Sequence, residues 1–356
     1  MNNINENNKI LNISFNQDNS CFSVSTEKGF KIYETIPFQK EYEKNIGGGI
    51  RLTEMYYRSN ILAFVSGGDF PKYDPKKLII WDDSSSKVIR EINFFNNIKN
   101  IKLKKDKLFV INDVNIFVFD FKTLENIEII NTYDNYKGLF SINSDEKSDV
   151  IAYLCELNDK KNIGINIKNY EKNSEIKINN KEEMVSYLCL NNLGNLLAIA
   201  NDKGNEIKIY NCINGDLLAD FHRGKEKAEI NCICFDKLNN FLAVTSDRGT
   251  IHIWSLKKVL QKLIELRKES LVDRDINDEN KINNEIDELP ENKKLIFSQN
   301  EKSFAKIRLN SNKSICSFQD NNIIVVVTYE GLYYQAKLDT KIGGTCQIIE
   351  QKNLKI

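Results

Sequence analysis

Short runs of alternating apolar and polar residues recur along the whole chain, and most of them close on an aromatic residue. Alternation with a period of two places successive side chains on opposite faces of a strand, so each run predicts a half-buried β-strand. The seven runs cover residues 29–33, 77–81, 115–119, 162–167, 206–210, 250–254 and 331–334.

The spacing of these runs predicts the architecture. The ends of successive runs are separated by 48, 38, 48, 43, 44 and 80 residues. Five of the six gaps are close to the roughly 40–45 residues of a four-stranded propeller blade, and the sixth equals one blade plus an insertion. We therefore predict an all-β fold in which residues 1–356 form a single seven-bladed β-propeller of WD-type repeats, with a long insertion in blade six. A β-sandwich or two β domains would have similar strand content, but the even spacing favours the ring.

Composition narrows the classes of function. Lys and Arg number 50, as do Asp and Glu, so the chain carries no net charge and lacks the basic footprint of a nucleic-acid-binding protein. Eight cysteines without a CxxC pair and only two histidines argue against a zinc site, and we expect no metal and no cofactor. The N-terminus lacks a signal-peptide core and the apolar run 323–327 is too short to span a bilayer. Any membrane contact is therefore expected to be peripheral, by a cytosolic protein with reduced thiols.

Other patterns give no sign of catalysis. The chain has no nucleophile elbow, no metal-spaced cluster and no paired acid with a basic partner, so we expect no enzyme. The glycines at 47–49 and 67–68 predict turns, because no Gly-Lys-Ser/Thr follows them. A basic run at strand-like spacing in blade three predicts a solvated face; its members are Lys99, Lys102, Lys104, Lys105 and Lys107.

The stretch 221–254 carries the candidate binding chemistry. Arg223 offers a planar fork of donors that can hold a phosphate bidentately, and Gly224 lets the backbone approach a ligand closely. Hydroxyl donors around the following turn come from Thr245, Ser246 and Thr250. His252 alternates with isoleucines and therefore shares a strand face with Thr250. Taken alone, His252 would be interpreted as a histidine bonded to neighbouring blade hydroxyls.

The same stretch resembles the signature of the PROPPIN family, the WIPI-type seven-bladed propellers that bind phosphoinositides. The matching segments are Phe-His-Arg-Gly at 221–224, Ala-Glu-Ile at 228–230 and Thr-Ser-Asp-Arg-Gly-Thr-Ile-His-Ile at 245–253. The resemblance covers nearly the whole chain and implies a headgroup site formed by Arg223, Gly224, Thr245, Ser246, Thr250 and His252. His222 stands where the family usually has its first arginine.

The family usually has two lipid sites, and the resemblance implies that one of them is weakened here. Its pattern on blade five, Ala-Thr-Ala-Ser-x-x-Gly-Thr-x-Ile-Arg, corresponds to residues 198–208. Asn201 replaces the serine and Lys208 the arginine, while His222 replaces the first arginine of the signature. The hypothesis is one strong site and one site that has lost hydroxyls and fork donors.

The insertion, residues 257–302, has three parts. Residues 257–268 form an amphipathic helical pattern, 273–291 are acidic and predict disorder, and 295–297 are apolar. In the family, a long blade-six loop enters the membrane beside the lipid site. One interpretation is therefore membrane insertion, and the other is a low-complexity spacer. The candidate inserting residues are Leu260, Leu263, Ile264, Ile296 and Phe297.

The resemblance implies a non-enzymatic peripheral membrane effector. Its expected lipids are phosphatidylinositol 3-phosphate and possibly the 3,5-bisphosphate, and its expected protein partners are autophagy proteins docked at the blade two–three edge. We expect a monomer in the cytoplasm that binds pre-autophagosomal, endosomal or vacuolar membranes reversibly and recruits autophagy or endosomal machinery. The alternative is a WD-type protein-interaction scaffold without lipid binding, since a propeller fold alone does not fix function.

Overall fold

The computed structural model describes residues 9–157, 163–179, 184–272 and 299–356. Within them, seven antiparallel sheets follow one another along the chain, so the predicted seven-bladed propeller is confirmed. The first strands of neighbouring blades lie against one another around the ring axis, and the last strand of each sheet lies at the rim.

The first four blades each contain four antiparallel strands that are consecutive in the chain. Blades one and two contain β1 (Ile10–Phe15), β2 (Cys21–Thr26), β3 (Gly29–Glu34), β4 (Gln39–Asn45), β5 (Ile50–Met55), β6 (Ile61–Ser66), β7 (Lys77–Asp82) and β8 (Lys87–Asn93). Blades three and four contain β9 (Asn100–Lys104), β10 (Lys107–Ile111), β11 (Asn115–Asp120), β12 (Asn126–Asn131), β13 (Phe140–Ile142), β14 (Val150–Glu156), β15 (Ile163–Asn169) and β16 (Ser174–Asn179).

In the last three blades, two short strands join the sheet of the preceding blade. Blade five contains β17 (Val185–Leu190), β18 (Leu196–Asn201), β19 (Glu206–Asn211) and β20 (Leu217–His222). Blade six begins with β21 (Ile230–Phe235), β22 (Phe241–Ser246) and β23 (Thr250–Ser255); the chain then passes through helix α1 (Lys257–Val272) and β24 (Gln299–Glu301) and returns to blade six as β25 (Ala305–Arg308). Blade seven begins with β26 (Ser314–Phe318), a 3₁₀ helix (Asp320–Asn322), β27 (Ile323–Thr328) and β28 (Leu332–Lys337); the chain then passes through β29 (Gly344–Thr345) and returns to blade seven as β30 (Gln347–Asn353). Strand β24 adds in parallel to the rim of blade five, and β29 adds in parallel to the rim of blade six.

The hydrophobic core is divided among the blade interfaces. Within the described residues, seven clusters of buried apolar side chains occur, one between each neighbouring pair of blades around the ring. Alternation along each strand sends one row of apolar residues to the preceding blade and the other to the following blade. This two-sided burial explains why the central strands are almost continuously apolar, as in Ile323–Thr328.

Packing rather than a shared sheet closes the ring. The N-terminal strands form all of blade one, and the C-terminal strands form all of blade seven. Phe22 and Tyr33 meet Tyr333 at the junction, where the rings of Phe22 and Tyr33 stack with centroids 5.2 Å apart. The Tyr333 hydroxyl donates to the Thr35 carbonyl at 2.6 Å. Packing of aromatic rings and a buried hydrogen bond thus join blade one to blade seven.

The lysine run of blade three does not form the predicted solvated face. Lys104 is 1% exposed and lies 3.2 Å from Asp149 of blade four, and Lys107 lies 2.5 Å from the same carboxylate. Lys102 lies 3.0 Å from Glu54 of blade two. The prediction was wrong because alternate residues on an inner strand face neighbouring blades, where their charges pair with carboxylates that sequence spacing does not reveal.

Both described ends of the blade-six insertion are regular structure. Helix α1 follows β23 directly and lies against β20, with Val259 and Leu263 buried in the core between blades five and six. The chain returns through β24, which pairs with β20, and through β25, which pairs with β23 as the fourth strand of the blade. The acidic part of the insertion, 273–291, lies outside the described residues.

Candidate functional site

Most of the candidate residues lie at the boundary where blade five faces blade six, which is called the cleft below. On β23, Ile251 and Ile253 face blade seven, so Thr250 and His252 face blade five. Arg223 follows β20, the strand of blade five that borders the same cleft. The cleft is therefore lined by the end of one blade and the broad face of the next.

Arg223 spans two backbone segments. Its amide donates to Asn205 O at 2.9 Å, its Nε donates to Gly204 O at 2.7 Å, and its Nη2 donates to Glu226 O at 2.6 Å. The two side-chain bonds use two of the five guanidinium N–H donors. Partial burial lowers the pKa of Arg223, although a guanidinium keeps its charge. A charged fork fixed on two carbonyls is already oriented for a phosphate.

The carbonyl that holds Arg223 depends on a glycine turn. Gly204 has φ +64°, and a Cβ there would lie 2.0 Å from Ala228 O. Any larger residue would push the β19 hairpin away from the 224–229 loop. That loop is held from the other side by Arg248, whose Nη2 donates to Lys227 O at 2.8 Å.

Gly224 occupies open space. The residue is exposed, and a Cβ placed there would meet no heavy atom within 4 Å. The fold itself thus does not require a glycine at this position. The backbone next to Arg223 is therefore open to solvent.

The three candidate hydroxyls do not all face this cleft. Ser246 and Thr250 lie on the blade-five face, Ser246 buried and Thr250 half-buried. Thr245 is 0% exposed and donates its hydroxyl to the Ser314 carbonyl of blade seven at 2.6 Å. The expectation that Thr245 contacts the ligand is therefore corrected. Adjacent residues of a strand point to opposite faces, so Thr245 and Ser246 cannot serve one cleft.

His252 is buried on the face of blade six that looks toward blade five. It is 7% exposed, stacks on Trp254 with centroids 5.6 Å apart, and places Nδ1 3.3 Å from Ser303 Oγ. Burial, followed by the positive charges of Lys306 and Arg223, lowers the pKa of His252 to about 4. The imidazole is thus neutral near pH 7, and both cations lie within electrostatic reach of it.

Two cationic residues of the cleft were missed by sequence reasoning. Strand β25 pairs with β23 so that Lys306 lies opposite His252 and Arg308 lies opposite Thr250. Side chains directly opposite each other in an antiparallel pair share one face, so Lys306 and Arg308 join the site. The alternation in Lys306–Ile307–Arg308 is only a weak signal of a strand. The insertion also separates these residues in the chain from β23, the strand they pair with.

The residues of the expected second site lie on the opposite face of blade five. His222 pairs in register with Glu206, and Lys208 pairs with Asp220. Glu206 lies 3.6 Å from both His222 Nε2 and Lys208 Nζ. Asp220 and Glu206, which sequence reasoning missed, thus set a carboxylate beside each candidate cation, and carboxylates repel a phosphate.

Asn201 has a structural role in this region. It is buried, and its Oδ1 accepts the Asn205 amide at 3.2 Å while its Nδ2 donates to Asn205 Oδ1 at 2.9 Å. Its polar groups therefore close the hairpin turn. The turn thus engages Oδ1 and one of the two Nδ2 hydrogens of Asn201.

The candidate membrane-inserting residues divide into three groups. Leu263 is buried and Leu260 half-buried against the core between blades five and six, so these two side chains stabilise the propeller in this arrangement. Ile264 is 53% exposed on the same helix. Ile296 and Phe297 lie outside the described residues. The expectation for Leu263 is thereby corrected, because a helix that docks on the blade buries the same apolar side that would contact lipid.

The fold defines the class of the protein: a seven-bladed β-propeller in which the facing sides of blades five and six carry cationic and hydroxyl side chains. The chain belongs to the PROPPIN family, whose model matches residues 10–355. Among curated proteins it is similar to autophagy-related protein 18e of Arabidopsis thaliana, with 29% identity over 348 residues that cover 97% of this chain and 87% of that protein.

Solved structures share the fold. Kluyveromyces lactis Hsv2 superposes with a TM-score of 0.73 at 22% identity, covering 98% of this chain and 99% of that one. A complex of KlAtg21 with the coiled-coil of AgAtg16 gives a TM-score of 0.74 at 21% identity, covering 98% of this chain and 100% of that chain. In the part of the chain that the structure describes, no helix is long and apolar enough to cross a bilayer.

Proposed function

We propose that this protein is a peripheral membrane effector that binds 3-phosphorylated phosphoinositides in the cleft between blades five and six and recruits autophagy or endosomal machinery. The candidate headgroups are those of phosphatidylinositol 3-phosphate and the 3,5-bisphosphate. Membership of the PROPPIN family and similarity to autophagy-related proteins support this role. The proposed setting is the cytoplasm, with reversible binding to pre-autophagosomal, endosomal or vacuolar membranes.

One observation carries the proposal: Lys306 lies opposite His252 on the face of blade six toward blade five, and the guanidinium of Arg223 is fixed on two backbone carbonyls at the end of the blade-five strand that borders this face. Two cations that converge on a buried neutral group repel each other, and an anion between them would relieve that repulsion. Thr250 and Ser303 add hydroxyls at the same place. A phosphorylated inositol offers both the negative charge and the ring hydroxyls that these groups can bind.

Membrane contact would come from the insertion that begins with α1. Because Leu263 is buried, Ile264 is the candidate inserting residue on the described helix. A single headgroup with a shallow apolar contact fits reversible binding, since one weak anchor rarely suffices. Ile296 and Phe297 remain the proposed inserting residues of the distal part of the insertion.

The proposed surface for autophagy proteins is the edge of blades two and three. The segment between β8 and β9 exposes Phe95 almost completely, at 97%. An isolated exposed phenylalanine beside a strand edge is a candidate anchor for an apolar partner. The structure of KlAtg21 with the coiled-coil of AgAtg16 shows that a protein of this fold can bind a coiled coil. Phe95→Asp should abolish capture of such a coiled coil while lipid binding persists.

The test of lipid binding is flotation with phosphatidylcholine vesicles that contain or lack phosphatidylinositol 3-phosphate. Wild type should float only with the phosphoinositide, and Arg223→Ala should lose most of that binding. Arg248→Ala is the matched control, because Arg248 also holds the 224–229 loop through a backbone carbonyl but is more exposed.

Equal flotation of wild type and Arg223→Ala would favour a protein-interaction scaffold instead. Equal loss in both arginine variants would assign the effect to the loop rather than to a phosphate contact. Vesicles with the 3,5-bisphosphate, run in parallel, compare the two candidate headgroups on the same three proteins.

A further inference from the structure

Three cysteines meet where blades six and seven face the ring axis. Cys232 and Cys234 lie on β21 and Cys316 on β26, the innermost strands of their blades. Cys234 Sγ is 3.5 Å from Cys316 Sγ, and the Cys232 thiol donates to the Cys316 carbonyl at 3.6 Å. All eight cysteines of the chain are free thiols. The lipid site does not involve this cluster.

The cluster is accessible from the central cavity. A cavity of about 420 Å³ lies among the innermost strands, and Cys232, Cys234 and Cys316 form part of its wall. Cys234 is half-buried, whereas Cys316 is buried. A small oxidant such as hydrogen peroxide can therefore reach one thiol of the pair, and the other lies directly behind it.

We propose that Cys234 and Cys316 are an oxidation site at which a hydroperoxide forms a disulfide between blades six and seven. The Cys234 thiolate attacks the peroxide and becomes a sulfenic acid as the O–O bond breaks. The Cys316 thiolate then attacks that sulfur and displaces hydroxide. Two thiols are oxidised, one hydrogen peroxide is reduced, and both thiol protons end in the two waters released.

The geometry favours this pair over other cysteine pairs. A disulfide has an S–S bond of about 2.05 Å, so the two sulfurs, now 3.5 Å apart, need to approach by about 1.5 Å. Within the described structure no group of three or more His, Cys, Asp and Glu could hold a metal, so a metal does not compete for these thiols. Hydrogen bonds to Cys232 and Cys316, followed by burial, raise the pKa of Cys234, so its reaction with peroxide should become faster as the pH rises.

The disulfide would connect residues that flank the entire blade-six insertion. Cross-linking a loop of this length restricts the unfolded chain strongly, so oxidation should raise Tm by an amount on the order of 5 °C. The two blades would also be covalently joined on the inner side of the ring.

The test is peptide mapping of the full-length protein treated with hydrogen peroxide and then alkylated without reduction. The expected product links tryptic peptide 228–237 to peptide 314–337, with loss of two hydrogen atoms. Fragmentation must decide between Cys232 and Cys234, which share one peptide. A link through Cys232, or full alkylation of both Cys234 and Cys316 after treatment, would overturn the proposal.

Thermal unfolding supplies a second measurement. Cys316→Ser should lose the oxidation-dependent rise in Tm, and Cys346→Ser should keep it, because Cys346 is buried in the same blade six–seven core but is not part of the three-cysteine cluster. Loss of the rise in both variants would contradict the assignment. If Cys316→Ser does not fold, the wild-type peptide map decides by itself.

Discussion

His252 on β23 stands directly opposite Lys306 on β25, so the imidazole and the ammonium share the face of blade six that looks toward blade five. The two residues belong to neighbouring strands in space but to opposite ends of the blade-six insertion in the chain. This pairing lowers the pKa of His252 and adds a cation to the proposed headgroup site.

Lys306→Gln should weaken binding to phosphoinositide vesicles about tenfold, because one charged donor to the phosphate is lost. The same change should raise the pKa of His252, since a positive neighbour is removed, and NMR titration of the imidazole measures that shift. Lys177→Gln, an exposed lysine on the rim of blade four, is the control. Unchanged affinity together with an unchanged pKa of His252 would contradict the pairing.

The low pKa of His252 predicts acid sensitivity of the fold. Its folded pKa of about 4 is below the usual 6.5, so the unfolded chain binds the proton first as the pH falls. The contribution to stability is complete above pH 6.5 and declines by about 3 kcal/mol as the pH falls from 6.5 to 4. Urea unfolding of wild type and His252→Gln across this range should show a smaller acid-induced loss in the variant. If wild type and His252→Gln lose the same stability as the pH falls, His252 is not the cause of the acid sensitivity.

Gly224→Ala should change vesicle binding without changing the stability of the fold. A Cβ at this position meets nothing in the protein, so the free energy of unfolding should change by less than about 0.5 kcal/mol. If a headgroup occupies the adjacent space, vesicle binding should fall several-fold. Flotation and urea denaturation of the same preparation provide both values. Full binding by the alanine variant would place the headgroup elsewhere along the cleft.

Thr245→Val and Thr250→Val should have opposite effects. Thr245 donates a buried hydrogen bond to blade seven, so its loss should cost about 1–2 kcal/mol of stability and leave lipid affinity unchanged. Thr250 is half-buried at the cleft, so its loss should weaken lipid binding with little effect on stability. Paired urea and flotation measurements test this assignment, which fails if Thr245→Val is the variant that loses lipid.

His222→Arg should strengthen the weakened site on blade five. The arginine adds fork donors, but Glu206 would still pair with it in register. We therefore expect a modest gain in vesicle affinity from the single variant and a larger gain from His222→Arg with Glu206→Gln. Liposome affinity that stays at the wild-type value in both proteins would show that the site is not merely weakened. Arg223→Ala in the same background tests whether the new binding is independent of the main cleft.

The period of the strand runs was sufficient to predict the seven blades, because one blade is one repeated unit with a fixed number of residues. The stretch 221–254 likewise predicted a site that includes Arg223, Ser246, Thr250 and His252, and the structure places these four at the boundary between blades five and six. Strand alternation places Ser246, Thr250 and His252 on one side of the blade, and local turns are determined by nearby residues. These features depend on residues that are close together in the chain, so they can be predicted from the sequence.

Other features of the site could be known only from the tertiary structure, because they depend on pairing between segments that are distant in the sequence. The register of β23 with β25 brought Lys306 and Arg308 to the cleft, and the register of β19 with β20 placed Glu206 beside His222. The packing of α1 on blade five buried Leu263, and the contact between blades three and four buried Lys104. In each case the side chain's role follows from which strand or blade lies next to it, and the residues that determine that neighbour are far away in the sequence.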